Sequence, residues 1–276
     1  RATIVPCLAY RRSERGTTIP LNLPPQGSIF VVFSANVARA KEDPIVSVSQ
    51  DGRELLFRRA VDQEACRIAI RPDSNGAPQL EADQAGEYLV RFAGGREVSV
   101  VVEPTVETAL SGPWTVRFSP GWGAPEEVVL DDLISWTEHP DPGVRHFSGV
   151  AIYEKEFSLP EEGWGDRPII LSLGDVRCVG EVRLNDHLLT TLWTPPFDVD
   201  LSPAARPGPN RLMIRVANTW SNRLVGDALG VGDRKFTETN MPYSVSWRVA
   251  WKDTPLLPSG LIGPALLRIP HRVPIR

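Results

Sequence analysis

Lysine, cysteine and histidine are all scarce in this sequence, and each scarcity argues against a line of chemistry. Only four of the 30 Lys+Arg residues are lysine (Lys41, Lys155, Lys235, Lys252), the arginines are scattered, and 34 Asp+Glu bring the formal net charge to −4. No basic field exists to draw in a phosphate backbone, which argues against nucleic acid as a partner. Cys7, Cys66 and Cys178 stand alone, without a CxxC pair or a histidine at ligand spacing, so no zinc site is expected. A Cys7–Cys66 bridge within the first domain and two free buried thiols both stay open. The four histidines (His139, His146, His187, His271) accompany no GxSxG elbow, and no GxxxxGK[ST] loop is present. No apolar run approaches the roughly 20 residues that would cross a bilayer, and RATIVPCLAY lacks the order of a signal peptide. The start at Arg1 suggests a mature product or a piece of a longer chain.

What is present is alternation. The 276 residues, 42% hydrophobic and 23% charged, suffice for real cores, and two domains are expected. Ile29, Val31 and Phe33 share one face of SIFVVFS, and Tyr88, Val90 and Phe92 share one face of EYLVRF, with the period of two that half-buried strands require. Asp51-Gly52, Asn75-Gly76 and Gly94-Gly95 supply turns with positive φ, and residues 86–102 read as a hairpin. After residue 112 the alternation continues through Trp114/Val116/Phe118, Ile169/Leu171/Leu173, Val182/Leu184, Phe197/Val199/Leu201 and Leu212/Ile214/Val216, punctuated by Asn185-Asp186 and Pro207-Gly208. The 26 prolines fit loops, edges and strand starts, and make long helices improbable.

EPTVETALSG, residues 103–112, reads as a linker. All eight tryptophans follow it. The expected fold class is all-β: two tandem antiparallel β-sandwich domains, residues 1–104 small and immunoglobulin-like or similar, residues 105–276 a jelly roll.

The series GPWTVRF, FSGVAIYEKEF, LSLGDVRCVGEVRLNDHLLTTLWTPPFDVDL, GPNRLMIRVANTWSNRLVGD and LLPSGLIGPALLR resembles the galactose-binding-like jelly roll near the C-terminus of the α-L-rhamnosidases of glycoside hydrolase family 106. It is similar, more loosely, to the sugar-binding domain of β-galactosidase and β-glucuronidase relatives. The resemblance covers about residues 108–270, and PLNLPPQGSIFVVF resembles the β-sandwich segment that precedes the jelly roll. It implies an accessory segment of a rhamnosidase-like enzyme acting on rhamnose-containing polysaccharide, with the catalytic domain of the parent chain as partner and a secreted or periplasmic location. In that family the catalytic carboxylates and a calcium ion belong to a (β/α)8 barrel, which nothing in this sequence matches.

Read residue by residue, the carboxylates Glu126, Glu127, Asp131, Asp132, Glu138 and Asp141 lie in turn-rich sequence and suit solvated loop charge better than a facing acid–base pair. Binding is the better-supported activity, since tryptophan offers sugar C–H bonds a rigid face. Trp136, Trp193, Trp220 and Trp251 lie in or beside loops, and Arg177, Asn222 and Arg223 can supply hydrogen bonds. Trp114 and Trp247, on patterned strands, are expected in the core. For Trp193, beside Pro195-Pro196, a structural plug is preferred to a sugar platform. For Arg223, clamping a carboxylate or carbonyls is preferred to contacting ligand. His187 reads as an exposed hairpin residue, and His146 as facing either a groove or the core. GDALGVGD (226–233) reads as a mobile loop in which Asp227 and Asp233 are candidate calcium ligands; no other cofactor is implied. A free-standing carbohydrate-binding module and a purely structural spacer remain the alternative functions.

Overall fold

The computed structural model describes residues 5–21, 23, 28–33, 43–57, 68–161, 164, 167–244 and 248–276. The chain divides into two compact units, one of Arg1–Val106 with Ile269–Arg276, the other of Glu107–Arg268. Both are built from antiparallel sheets.

The first unit has a four-stranded sheet in the order Arg53–Glu54, Ile45–Gln50, Gly86–Phe92, Glu97–Val102, and a three-stranded sheet in the order Arg272–Pro274, Pro78–Ala82, Ile68–Pro72. The 86–102 hairpin forms as its alternation dictates, with Tyr88, Val90 and Phe92 all on the buried face. They pack with Ile45, Val48 and Val100 of the same sheet and with Leu80 and Ala82 of the other, joined by Ile275.

Four expectations need correction here. Residues 28–33 form no strand, and Phe30 and Phe33 are 94% and 80% exposed. Alternation favours a pleated strand only where a neighbouring strand supplies the ladder, and among the described residues none does. The expected linker contains a strand, Val106–Ala109, at the edge of the second unit's smaller sheet. The second unit does not run to residue 276, because Arg272–Pro274 pairs with Pro78–Ala82, Val273 opposite Leu80. Cys7 is a free, exposed thiol and not the buried one expected; Cys66 and Trp247 lie outside the described residues.

In the second unit a six-stranded sheet runs in the order Glu127–Leu130, Trp114–Phe118, Val150–Leu159, Gly208–Ala217, Val179–Leu184, His187–Leu192. A four-stranded sheet, Asp198–Asp200, Ile170–Ser172, Leu266–Ile269, Val106–Ala109, and a two-stranded ribbon, Asp175–Arg177 with Gly260–Gly263, complete it. Val150–Leu159 and Gly208–Ala217 pair over ten residues and hold the centre. Val116, Val182, Leu184, Leu212, Ile214 and Val216 of the large sheet share one core with Leu171, Val199, Leu261 and Leu267 of the others. Fully burying each such side chain contributes about 1.5–3 kcal/mol.

Leu171 has no exposed surface and sits between Val199 and Leu267 in register. Leu171→Ala is expected to destabilise the second unit by about 2–5 kcal/mol. Urea unfolding followed by tryptophan fluorescence checks this, because every tryptophan belongs to that unit.

Candidate functional site

One end of the large sheet collects most of the loops. Ala217, the last residue of its strand, lies opposite both Val150 and Val179, Phe118 lies opposite Ala151, and Leu192 lies opposite Gly180. Antiparallel register therefore brings the 119–126 turn, the end of segment 131–149, the departure of the chain after Ala217 and the corner at Trp193 to the same end.

Beneath these loops lies an aromatic layer. Trp136, Phe118 and Phe147 meet edge to face with centroids 4.8–5.5 Å apart. Trp136, 1% exposed, donates its indole N–H to the Tyr153 hydroxyl at 2.6 Å, and the same oxygen accepts the Leu261 N–H. Burial pushes the Tyr153 phenol well above its ordinary pKa and keeps it protonated. Gly260, at φ +93°, passes so close that a Cβ there would fall 2.5 Å from the Trp136 ring nitrogen. Trp136 is thus a core residue and not a loop platform, with its one polar atom satisfied internally.

The next layer ties the excursion down. Asn218 accepts the Gly149 N–H and donates to Phe147 O and Ser259 Oγ. Asn222, one helical turn later, donates to Ser259 Oγ and Leu257 O while accepting the Leu257 N–H. Ser221–Leu229, read from sequence as loop, is a helix that ends at Gly230 in the left-handed region, φ +73°. Its inward face carries Asn222, Arg223, Val225 and Gly226. A Cβ on Gly226 would lie 2.7 Å from His146 Cβ, so glycine lets the helix settle on that residue.

Arg223 has no exposed side-chain surface. Its Nε lies 3.1 Å from Asp227 Oδ1, its Nη2 donates to Val231 O, and its guanidinium packs 4.6 Å from the Phe236 ring centroid. Nη1 has no hydrogen-bond partner among the described residues. Burial holds the guanidinium below its ordinary pKa, with Asp227 opposing that fall. Asp227 in turn accepts the N–H groups of Phe236 and Thr237 and the Thr237 hydroxyl. Its oxygens close the loop against the helix, whereas Asp233, the other proposed calcium ligand, is exposed. Among the described residues no group of three or more His, Cys, Asp or Glu is placed to hold a metal.

The outer surface carries the remaining candidates. Trp193 is 64% exposed; Phe197, 9% exposed and part of the core, anchors the Pro195-Pro196 corner in its place. The preferred plug reading of Trp193 is therefore corrected. Trp220 is 58% exposed and meets Trp122 edge to face at 5.6 Å, and Trp122 stacks on Phe236. Arg177 is half exposed and pairs with Asp175 at 2.7 Å. Trp251 is partly exposed and fixed by its indole N–H to Met241 O, 2.8 Å. It lines a cleft of about 520 Å³ between the 221–229 helix and residues 235–242 and 250–252. His146 faces the core, and His187 is exposed at its hairpin. Asp141 spends its carboxylate on the N–H groups of Gly143 and Val144, and Glu127 pairs with Arg117 at 3.0 Å. Of the seven predicted sugar contacts, Trp136, Asn222 and Arg223 are buried structural groups, and Arg177, Trp193, Trp220 and Trp251 remain accessible.

No family model matches the chain. It is 32% identical over 215 residues, 71% of its length, to a protein of Formosa agariphila named "Putative beta-glucuronidase". Among solved structures, a rhamnosidase from Novosphingobium sp. PP1Y matches 76% of the chain at 29% identity with a TM-score of 0.55. A Ruminococcus gnavus β-glucuronidase matches 41% at 27% identity with a TM-score of 0.36. The chain spans 18% of the Formosa protein and 24% of the rhamnosidase. It is similar to one segment of much larger glycosidase-related proteins.

Two measurements probe this end of the sandwich. Asp227→Ala strands a buried guanidinium and is expected to cost about 3–5 kcal/mol in urea unfolding. Burial also holds His146 below its ordinary pKa, against its hydrogen bond to Pro142 O and with help from the Arg223 and Arg145 charges. A depressed imidazole makes the unfolded state the better proton acceptor, so its contribution is full above about pH 6.5 and declines as pH falls through that value. The melting temperature should drop between about pH 7.5 and 5.5, and His146→Gln should flatten that slope.

Proposed function

We propose that this chain is a non-catalytic accessory segment of a rhamnosidase-like glycoside hydrolase of the family 106 type. In this reading the second unit is a galactose-binding-like jelly roll that braces the parent enzyme's catalytic barrel and contacts carbohydrate, rhamnose-containing polysaccharide being the class the resemblance favours. The observation that carries the reading is the match of most of this chain to a minor part of a rhamnosidase of far greater length. Physical features support it. The loop-bearing end of the sandwich presents Trp193 and Trp220 more than half exposed, and an exposed indole offers a sugar's C–H face a rigid partner. The carboxylates Asp141 and Glu127 are already engaged in a helix cap and an ion pair, as befits a scaffold.

Incubated with aryl α-L-rhamnosides and aryl β-D-glucuronides, the chain should release no chromophore above the buffer rate. Turnover that follows the protein through purification would overturn the non-catalytic reading. In titration calorimetry with rhamnose- and galactose-containing oligosaccharides, Trp193→Ala should weaken binding by about tenfold, the loss of one stacked aromatic contact.

A further inference from the structure

The cleft beside Trp251 is distinguished by its charge. Lysine is rare in this chain, and of the three described lysines Lys155 has its ammonium engaged by the carbonyls of Ser111, Gly112 and Pro113. The other two, Lys235 and Lys252, both line the cleft between the 221–229 helix and residues 235–242 and 250–252. Both are exposed, and neither makes a hydrogen bond or ion pair among the described residues. The one carboxylate in the lining, Asp227, is turned inward: its side chain is 1% exposed and is engaged by Arg223, Phe236 and Thr237. Glu238 and Asp253 neighbour the lysines in the chain but do not line the cleft. Two lysines without an ion-pair partner among the described residues therefore line the same space, in a protein whose net charge is −4.

The rest of the lining suits a polyhydroxylated ring. Trp251 is held by its bond to Met241 O, so its ring is fixed without a ligand. Asn240 is exposed and its amide is unengaged among the described residues, while the Thr239 hydroxyl accepts the Met241 N–H and keeps its own proton to donate. A fixed aromatic face, hydroxyl and amide partners and a pair of ammonium groups are what a sugar bearing a negative charge requires.

We infer that this cleft is a binding site for an acidic sugar, a uronic acid residue whose carboxylate lies between Lys235 and Lys252 while its ring packs on Trp251. The inference rests on the proposal that the chain contacts carbohydrate and adds the chemical class and the place. It does not involve Trp193 or Trp220, so the two can fail separately.

Titration calorimetry on the intact chain should compare glucuronic acid oligosaccharides, the same oligosaccharides with their carboxyl groups reduced, and a sulfated neutral oligosaccharide. Tight binding is expected for the uronates, at least about tenfold weaker binding after carboxyl reduction, and further weakening as salt rises from about 20 to 200 mM. The double variant Lys235→Ala/Lys252→Ala, on exposed side chains, should unfold at the wild-type urea midpoint and lose the preference for uronates. Trp251→Ala should weaken both the uronates and their reduced forms. Equal affinity for acidic and reduced oligosaccharides, unchanged in the double variant, would overturn this inference and leave carbohydrate contact standing. Binding of the sulfated probe without the uronates would overturn the uronate assignment, and no binding of any glycan would overturn both.

Discussion

The amides of Asn218 and Asn222, meeting at the Ser259 hydroxyl, are the contacts on which the architecture of the second unit depends. The chain leaves the large sheet at Ala217 and re-enters the sandwich only at Gly260. Such an excursion carries polar backbone that must be satisfied wherever it is buried, and side-chain amides do this at both of its ends. Asn218 joins the departure to Gly149 and Phe147 of the neighbouring segment, and Asn222 joins it to Leu257 just before the return. Trp136 is held through the same point, because its backbone N–H donates to Ser259 O.

Electrostatics are layered around that knot. The innermost polar groups, the Tyr153 hydroxyl and the Trp136 indole, are neutral and mutually satisfied. Outside them the Arg223–Asp227 pair is charged but enclosed, where removing one partner costs more than the pair contributes. Among the described residues, Lys235 and Lys252 carry their charges at the surface without an ion-pair partner. A tightly bonded interior thus supports a loop surface whose side chains face solvent.

Much of the fold was legible in the sequence because sheets write themselves as a period of two. Val182, Leu184, Leu212, Ile214 and Val216 fell on the buried face that alternation assigned them. The same rule failed at Ile29–Phe33, since periodicity records the willingness of a segment to pleat and not the presence of a neighbour. The helix at Ser221–Leu229 was hidden by its length and by the glycines at 226 and 230; its stability comes from packing on His146 and Phe236, which no local pattern announces. At the candidate site, residue type identified the tryptophans but not their exposure: Trp136 and Trp193 exchanged roles because burial is decided by which neighbour reaches the corner first, Phe197 in the one case and Tyr153 in the other. Lys235 and Lys252 were missed, although their rarity against a background of arginine was a signal available from composition.

The strand Arg272–Pro274 closes the first unit's smaller sheet, and Ile275 joins that unit's core. The second unit is therefore an insertion between two parts of the first, not its successor. During synthesis the N-terminal sandwich must wait, one sheet edge open and one core position empty, until the whole of the inserted unit has left the ribosome. All strands of the inserted unit's sheets precede Arg272, so those sheets can close before the sandwich that begins the chain is complete.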